Sequence, residues 1–223
     1  MARRTLLVNF KNYPEILGEG GIRLAQASAK VQGATGVRFI VAPPIPMLHA
    51  VASAVRVPVF SQKAEAGEQG KSTGAVIPES IRAAGGSGSL LNHSESRIGA
   101  KLIAELIPRM RIIGLQSCVC AQTAQEAEEL ARLDPDYLAV EPPELIGTGV
   151  AVSRARPELI SDTANAAKRA RFKGILLCGA GVVSGEDVKA AISLGTEGIL
   201  VASSVVKAKD WEAKLTELAS AMD

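Results

Sequence analysis

Eight short apolar runs, spread over the whole chain and separated by helix-like stretches, limit what this chain can fold into. They lie at Thr5–Phe10, Val37–Val41, Val57–Ser61, Gly88–Leu91, Ile112–Gln116, Tyr137–Val140, Gly174–Leu177 and Gly198–Val201. None alternates cleanly between apolar and polar residues. Each therefore reads as a strand buried on both faces, as parallel strands are. Between them, Thr123–Arg132, Arg154–Arg171, Ser184–Leu194 and Asp210–Ala221 have apolar residues spaced for one helix face. Further helices are expected near Pro78–Ala84 and Arg97–Ile107. Ser184 followed by Glu186 and Asp187 is a helix start, and Gly195 after Leu194 is a stop. Eight such units without a linker predict a single α/β domain over residues 1–223, a (β/α)8 barrel. A doubly wound open sheet shares the same local pattern.

The remaining composition excludes several classes of function. A formal charge of +2, with no basic run, gives no footprint for nucleic acid or a membrane surface. No apolar stretch approaches the roughly 20 residues of a membrane-spanning helix. Met1-Ala2-Arg3-Arg4 leads directly into the first strand without a cleavage pattern, so a cytoplasmic location is expected. Cys118, Cys120 and Cys178 are too few and too scattered for a disulfide framework. Cys118 and Cys120 are expected to point to opposite faces, a poor metal pair. With only His49 and His93 as imidazoles, a His-based zinc site is not expected. His49 and Trp211 fall on helical segments and read as structural.

In a barrel the residues after each strand gather at one mouth. Asn9-Phe10-Lys11 follows the first strand, with Asn9 and Lys11 on one side of the chain. Asn92-His93-Ser94-Glu95-Ser96-Arg97 follows the fourth, and Glu141 the sixth. Cys178-Gly179-Ala180-Gly181 follows the seventh and Ala202-Ser203-Ser204 the eighth. Taken singly, Lys11 reads as a solvated lysine, His93 as a structural histidine and Glu141 as a cap. Their coincidence at strand ends points to a site. The small-residue turns offer backbone N–H groups to a phosphate. A carboxylate, an imidazole and an ammonium around a small phosphorylated molecule suit proton abstraction beside a carbonyl, without a metal.

At these residues the chain resembles the triosephosphate isomerase family, over nearly its whole length and with the motifs in order. Asn9-Phe10-Lys11 resembles its Asn-x-Lys, and His93-Ser94-Glu95-Ser96-Arg97 its His-Ser-Glu-x-Arg. Glu141-Pro142 through Gly147-Thr148-Gly149 resembles its Glu-Pro and lid loop, and Thr73-Gly74 its third-loop Thr-Gly. The resemblance implies a TIM barrel that interconverts dihydroxyacetone phosphate and D-glyceraldehyde 3-phosphate, in glycolysis and gluconeogenesis, without a cofactor. It implies that Glu141 moves the proton, that neutral His93 polarises the carbonyl and that Lys11 offsets the developing charge. Asn9 would help bind substrate, Glu95 would support the site, and Gly147, Gly181, Ala202 and Ser203 would hold the phosphate. Cys118, taken to lie just past the fifth strand, would be the family's cysteine near the glutamate, with a packing role.

Two turns depart from the usual family pattern. Gly179-Ala180-Gly181 stands where many members have Gly-Gly-Ser, and Ala202-Ser203 where many have two glycines. The short length and the Pro142-Pro143 hinge resemble the compact archaeal-type branch, which implies a homotetramer rather than a dimer, with Thr73 reaching toward a neighbour's site. A lyase or synthase on another phosphorylated substrate, or a non-catalytic barrel, would not need Asn9, Lys11, His93 and Glu141 together.

Overall fold

The computed structural model of the chain describes residues 4–142 and 152–222. Eight parallel strands form one sheet: β1 Thr5–Asn9, β2 Arg38–Ala42, β3 Phe60–Ser61, β4 Gly88–Leu91, β5 Gln116–Ala121, β6 Tyr137–Val140, β7 Ile175–Cys178 and β8 Gly198–Val201. Their order is β2-β1-β8-β7-β6-β5-β4-β3. A parallel bridge between Val41 and Val59 joins the two end strands. The Val41 N–H donates to the Pro58 carbonyl there at 3.1 Å. That junction closes the sheet into a (β/α)8 barrel and removes the open-sheet alternative.

Helices wrap the outside: α1 Glu19–Thr35, α2 Leu48–Ala54, α3 Pro78–Ala83, α4 Gly99–Ile112, α5 Ala124–Ala131, α6 Val152–Ala155, α7 Pro157–Arg169, α8 Gly185–Ser193, α9 Ser203–Val206 and α10 Trp211–Ser220. Their ends follow local chemistry. Thr123, Ser184 and Asp210 each accept a hydrogen bond from a first-turn N–H of α5, α8 and α10. Gly36 ends α1 in the left-handed region at φ 73°.

Two buried layers result from strand alternation. One set of residues, including Leu6, Val8, Phe39, Val41, Leu138 and Ile199, packs outward against the helices. The other fills the barrel: Leu7, Ile40, Ala42, Phe60, Leu90, Cys118, Cys120, Tyr137, Ala139, Leu177 and Leu200. Phe60 and Tyr137 meet edge to face at 6.0 Å between ring centroids. At the end away from the mouth, Arg38 donates to Gln116 Oε1 at 3.0 Å.

Three expectations are corrected. The fifth strand is Gln116–Ala121, not Ile112–Gln116. Ile112 is the last residue of α4 and is exposed. The helix ends there, Ile113 caps it and Gly114, at φ 74°, turns the chain. The single helix expected over Arg154–Arg171 is divided into α6 and α7, with Pro157 at the first position of α7. Proline lacks the N–H that would continue a helix, but it suits a first turn. Finally, Cys118 and Cys120 lie within β5 and share one face, the barrel interior. Residues two apart on a strand point the same way.

Close packing leaves some positions no room. A methyl group at Gly88 would come within 2.3 Å of the Gln116 carbonyl oxygen and 2.6 Å of the Phe60 ring. Gly88→Ala should therefore lower stability by about 1–3 kcal/mol through overpacking. Gly33, inside α1, has nothing within 4 Å of such a methyl. Gly33→Ala should raise stability by roughly 0.5–1 kcal/mol. Denaturant melts of the two variants check both signs.

Candidate active site

Each strand carries its inward-facing parity to the mouth. On β6 the inward series Tyr137, Ala139 continues to Glu141, just past the strand. The Glu141 N–H still donates to the Ala121 carbonyl of β5 at 2.8 Å, so the backbone under the carboxylate is held as in a strand. Glu141 is 2% exposed. A methyl group at Gly179 would sit 2.4 Å from Glu141 Cγ, so the carboxylate occupies the space that a side chain at 179 would fill.

Burial is the largest influence on Glu141 and pushes its pKa above the ordinary carboxylate range. Positive charge on His93 when its ring is protonated, the Cys120 thiol and Lys11 pull it back in part, while Glu95 adds to the rise. Among the described residues, Glu141 Oε2 has no hydrogen-bond partner. A raised pKa makes the carboxylate a stronger base than a solvated one.

His93 is 5% exposed. The backbone N–H of Glu95 donates to its Nδ1 at 3.2 Å. Nδ1 is therefore unprotonated, and the neutral ring carries its proton on Nε2. Nε2 lies 3.7 Å from Glu141 Oε1, too far for a hydrogen bond. Both groups are left facing the same cleft.

Lys11 adopts φ 47°, in the left-handed region that non-glycine residues rarely enter. Its N–H donates to Asn9 Oδ1 at 3.0 Å, which helps hold the turn. Its Nζ pairs with Glu95 Oε1 at 2.7 Å. Glu95 is largely exposed, so this pair is weak enough for a substrate anion to compete with it.

The cleft is lined by Lys11, His93, Glu141, Gly181, Ala202 and Ser203, together with their neighbours in the last two turns. Gly181 stands at φ 69°, in the left-handed region that favours glycine. Ser203 begins α9 directly after Ala202. The structure thus brings together Lys11, His93, Glu141, Gly181, Ala202 and Ser203. Asn9 lies in an adjoining hollow that shares Lys11 and His93, and Glu95 lines that hollow too. Thr73 is exposed on the segment between β3 and α3, and it lines neither hollow. Gly147 and the lid tip at 145–147 lie outside the described residues.

Four contributors were not among the expected site residues. Gln62 donates to the Lys11 and Ala42 carbonyls at 3.0 and 3.1 Å and to Asn9 Oδ1 at 3.3 Å. It follows β3, so the strand-end rule that found the others could have found it. Gly179 gives Glu141 its space. Cys120, on the barrel's inner face, is the thiol that helps hold down the Glu141 pKa. Asn92 is the fourth. Burial drives all three thiols upward, Cys178 to about 12, which makes them poor nucleophiles. His49 lies on α2 with Nδ1 3.4 Å from the Ala84 carbonyl oxygen, and Trp211 donates to the Val206 carbonyl at 3.0 Å. Both are structural contacts away from the mouth. No group of three or more potential metal ligands occurs among the described residues.

Fold and mouth together place the molecule among the (β/α)8-barrel enzymes that carry a titratable, anion-accepting site at the strand C-termini. Comparison with known proteins narrows this. The family model described as triosephosphate isomerase matches residues 4–221. A triosephosphate isomerase of Cenarchaeum symbiosum is 47% identical over 223 residues, covering 100% of both chains. One from Caldivirga maquilingensis is 46% identical over 214 residues, 96% of this chain and 95% of its own. One from Methanocaldococcus jannaschii is 41% identical, covering 96% and 97%. The chain belongs to the triosephosphate isomerase family.

The Glu141 environment has a consequence for stability. A carboxyl whose pKa is higher in the folded than in the unfolded chain favours folding only while protonated. That benefit is complete below the unfolded value, roughly 4.3, and is lost as pH rises through the folded one. Glu141→Gln should therefore melt at a higher temperature than the parent at pH 8. The gap should close near pH 4, where the parent carboxyl is also neutral. Equal melting temperatures at pH 8 would contradict the burial argument.

Proposed function

We propose that this chain interconverts dihydroxyacetone phosphate and D-glyceraldehyde 3-phosphate through an enediolate, as the isomerase its family name denotes. The observation that carries this reading is the buried carboxylate facing a neutral imidazole whose proton is on Nε2. Glu141 removes a proton from the carbon beside the carbonyl, and the C–H electron pair moves into the new C–C double bond. The carbonyl oxygen gains negative charge, which His93 Nε2–H and Lys11 Nζ meet as donors. Return of the proton from Glu141 to the neighbouring carbon, with transfer between the two oxygens through His93, completes the exchange. Asn9, through Lys11 and Gln62, fixes the turn that aims the lysine.

Backbone N–H groups of Gly181 and Ser203 hold the phosphate, with Gly147 and the start of α9 at Ala202 completing the cradle. Glu95 orients His93 through its own N–H and releases Lys11 when substrate arrives. The reaction serves glycolysis and gluconeogenesis in the cytoplasm. Three free, buried cysteines suit a reducing compartment. The working form is a homotetramer, in which exposed Thr73 approaches the site of a neighbouring copy. Sedimentation equilibrium measures that state directly, and a monomer would overturn it.

A coupled assay on purified protein tests the reaction. D-glyceraldehyde 3-phosphate should yield dihydroxyacetone phosphate rapidly. Glu141→Asp should lower kcat by about 10²-fold or more, because the shortened arm withdraws the base by about 1 Å. Lys11→Ala should damage both KM and kcat, since its charge meets ground and transition states alike. Full activity in Glu141→Asp would remove Glu141 from the chemistry.

A further inference from the structure

Asn92 is buried, at 2% exposed, and every hydrogen-bonding position of its side-chain amide is used. Nδ2 donates to the Cys120 carbonyl at 3.0 Å and to Glu126 Oε1 at 3.2 Å. Oδ1 accepts from the N–H groups of Ile98 and Gly99 at 3.1 and 3.2 Å. The amide cannot be reversed, since that would set its NH2 against two N–H groups and its oxygen against a carbonyl and a carboxylate. Ile98 gives α4 no side-chain cap of its own, so Asn92 caps that helix from seven residues back in the chain.

These four bonds tie together three parts of the mouth. The Ile98 and Gly99 bonds close the segment 93–98 into a loop, with His93 at its start. The Ser96 N–H donates to the His93 carbonyl at 2.8 Å inside that loop. The Cys120 bond fixes the loop to β5, at a residue whose side chain faces the barrel interior. The Glu126 bond reaches α5. There Glu126 also accepts from the Gln122 N–H at 2.8 Å and pairs with Arg97, from the far side of the same loop. Asn92 itself takes φ 61°, which asparagine tolerates better than most residues. Strand parity along β4 would carry position 93 outward, like Ser89 and Leu91. The left-handed turn at 92 breaks that parity, and His93 lines the cleft instead.

We propose that Asn92, anchored by Glu126, is a positioning residue for His93: its turn aims the imidazole into the mouth and its amide locks the loop that fixes the ring's tautomer. The proposal rests on the reading of His93 as the donor to the substrate oxygen. Asn92→Gly is the informative variant, because glycine keeps the left-handed turn and removes only the amide.

With D-glyceraldehyde 3-phosphate as substrate, Asn92→Gly should lose about 10²-fold in kcat with little change in KM, the cost of a misplaced catalytic group. In a His93→Gln background the same change should cost less than about threefold, since residues acting as one unit are not additive. Losses that multiply in the double variant, or an unchanged kcat in the single one, would overturn the proposal. Nitrogen-15 spectra of the His93 ring separate this from failure of the isomerase reading, because they need no turnover. The parent should show one tautomer, protonated on Nε2, and Asn92→Gly a mixture. A single tautomer retained in the variant overturns the proposal whatever the activity. Should Asn92→Gly not fold, Glu126→Ala removes the anchor from outside the barrel. It should lower kcat at least threefold, and unaltered turnover there would refute the clamp.

Discussion

The structure depends on one uncomfortable placement: a carboxylate, which can accept a proton only when charged, is seated where charge is least welcome. Glu141 is almost wholly buried, and Gly179 makes room for it at the cost of any side chain of its own. Burying an ionised carboxylate is expensive, so the group binds its proton more tightly than it would in water. That same penalty makes it an effective base. The Cys120 thiol on β5 and Lys11 past the end of β1 offset part of the cost. The barrel is the device that brings those strands together.

Strand parity decides what reaches the mouth. Inward positions of β1, β6 and β8 deliver Asn9, Glu141 and Ala202 without further help. Lys11 shares the inward parity of Leu7 and Asn9 although its own backbone is left-handed, whereas His93 breaks the rule after the left-handed turn at Asn92. Left-handed backbone in a non-glycine residue costs free energy and persists where surrounding contacts impose it. At Lys11 those contacts come from Asn9 and Gln62, and at Asn92 from Glu126, Cys120 and the start of α4. The polar shell behind the reactive groups therefore does most of the aiming.

The barrel was legible because parallel strands covered on both faces must be apolar runs, and seven of the eight lie where those runs are. The fifth misled for a physical reason. Its strand, Gln116-Ser117-Cys118-Val119-Cys120-Ala121, carries few β-branched residues, while the Ile112-Ile113 pair just before it belongs to the end of a helix. Lys11, His93 and Glu141 were legible as titratable residues at strand ends. Asn92 and Gln62 also stand at strand ends, but their roles, like that of Cys120 inside β5, lie in contacts across strands distant in sequence. Such contacts depend on register and on side-chain aim, neither of which one sequence displays.

Proton transfer by a buried carboxylate leaves an isotopic record, and that record is the most direct test of the account. Isomerisation of D-glyceraldehyde 3-phosphate in D2O should place deuterium on the carbon that receives the proton in dihydroxyacetone phosphate, because the proton on Glu141 exchanges with solvent during the enediolate's lifetime. Proton NMR of the product reads the label, and Glu141→Gln should abolish its formation together with turnover. Brisk turnover that gives wholly unlabelled product and persists in Glu141→Gln would mean that hydrogen moves without this carboxylate, and Glu141 would not be the base.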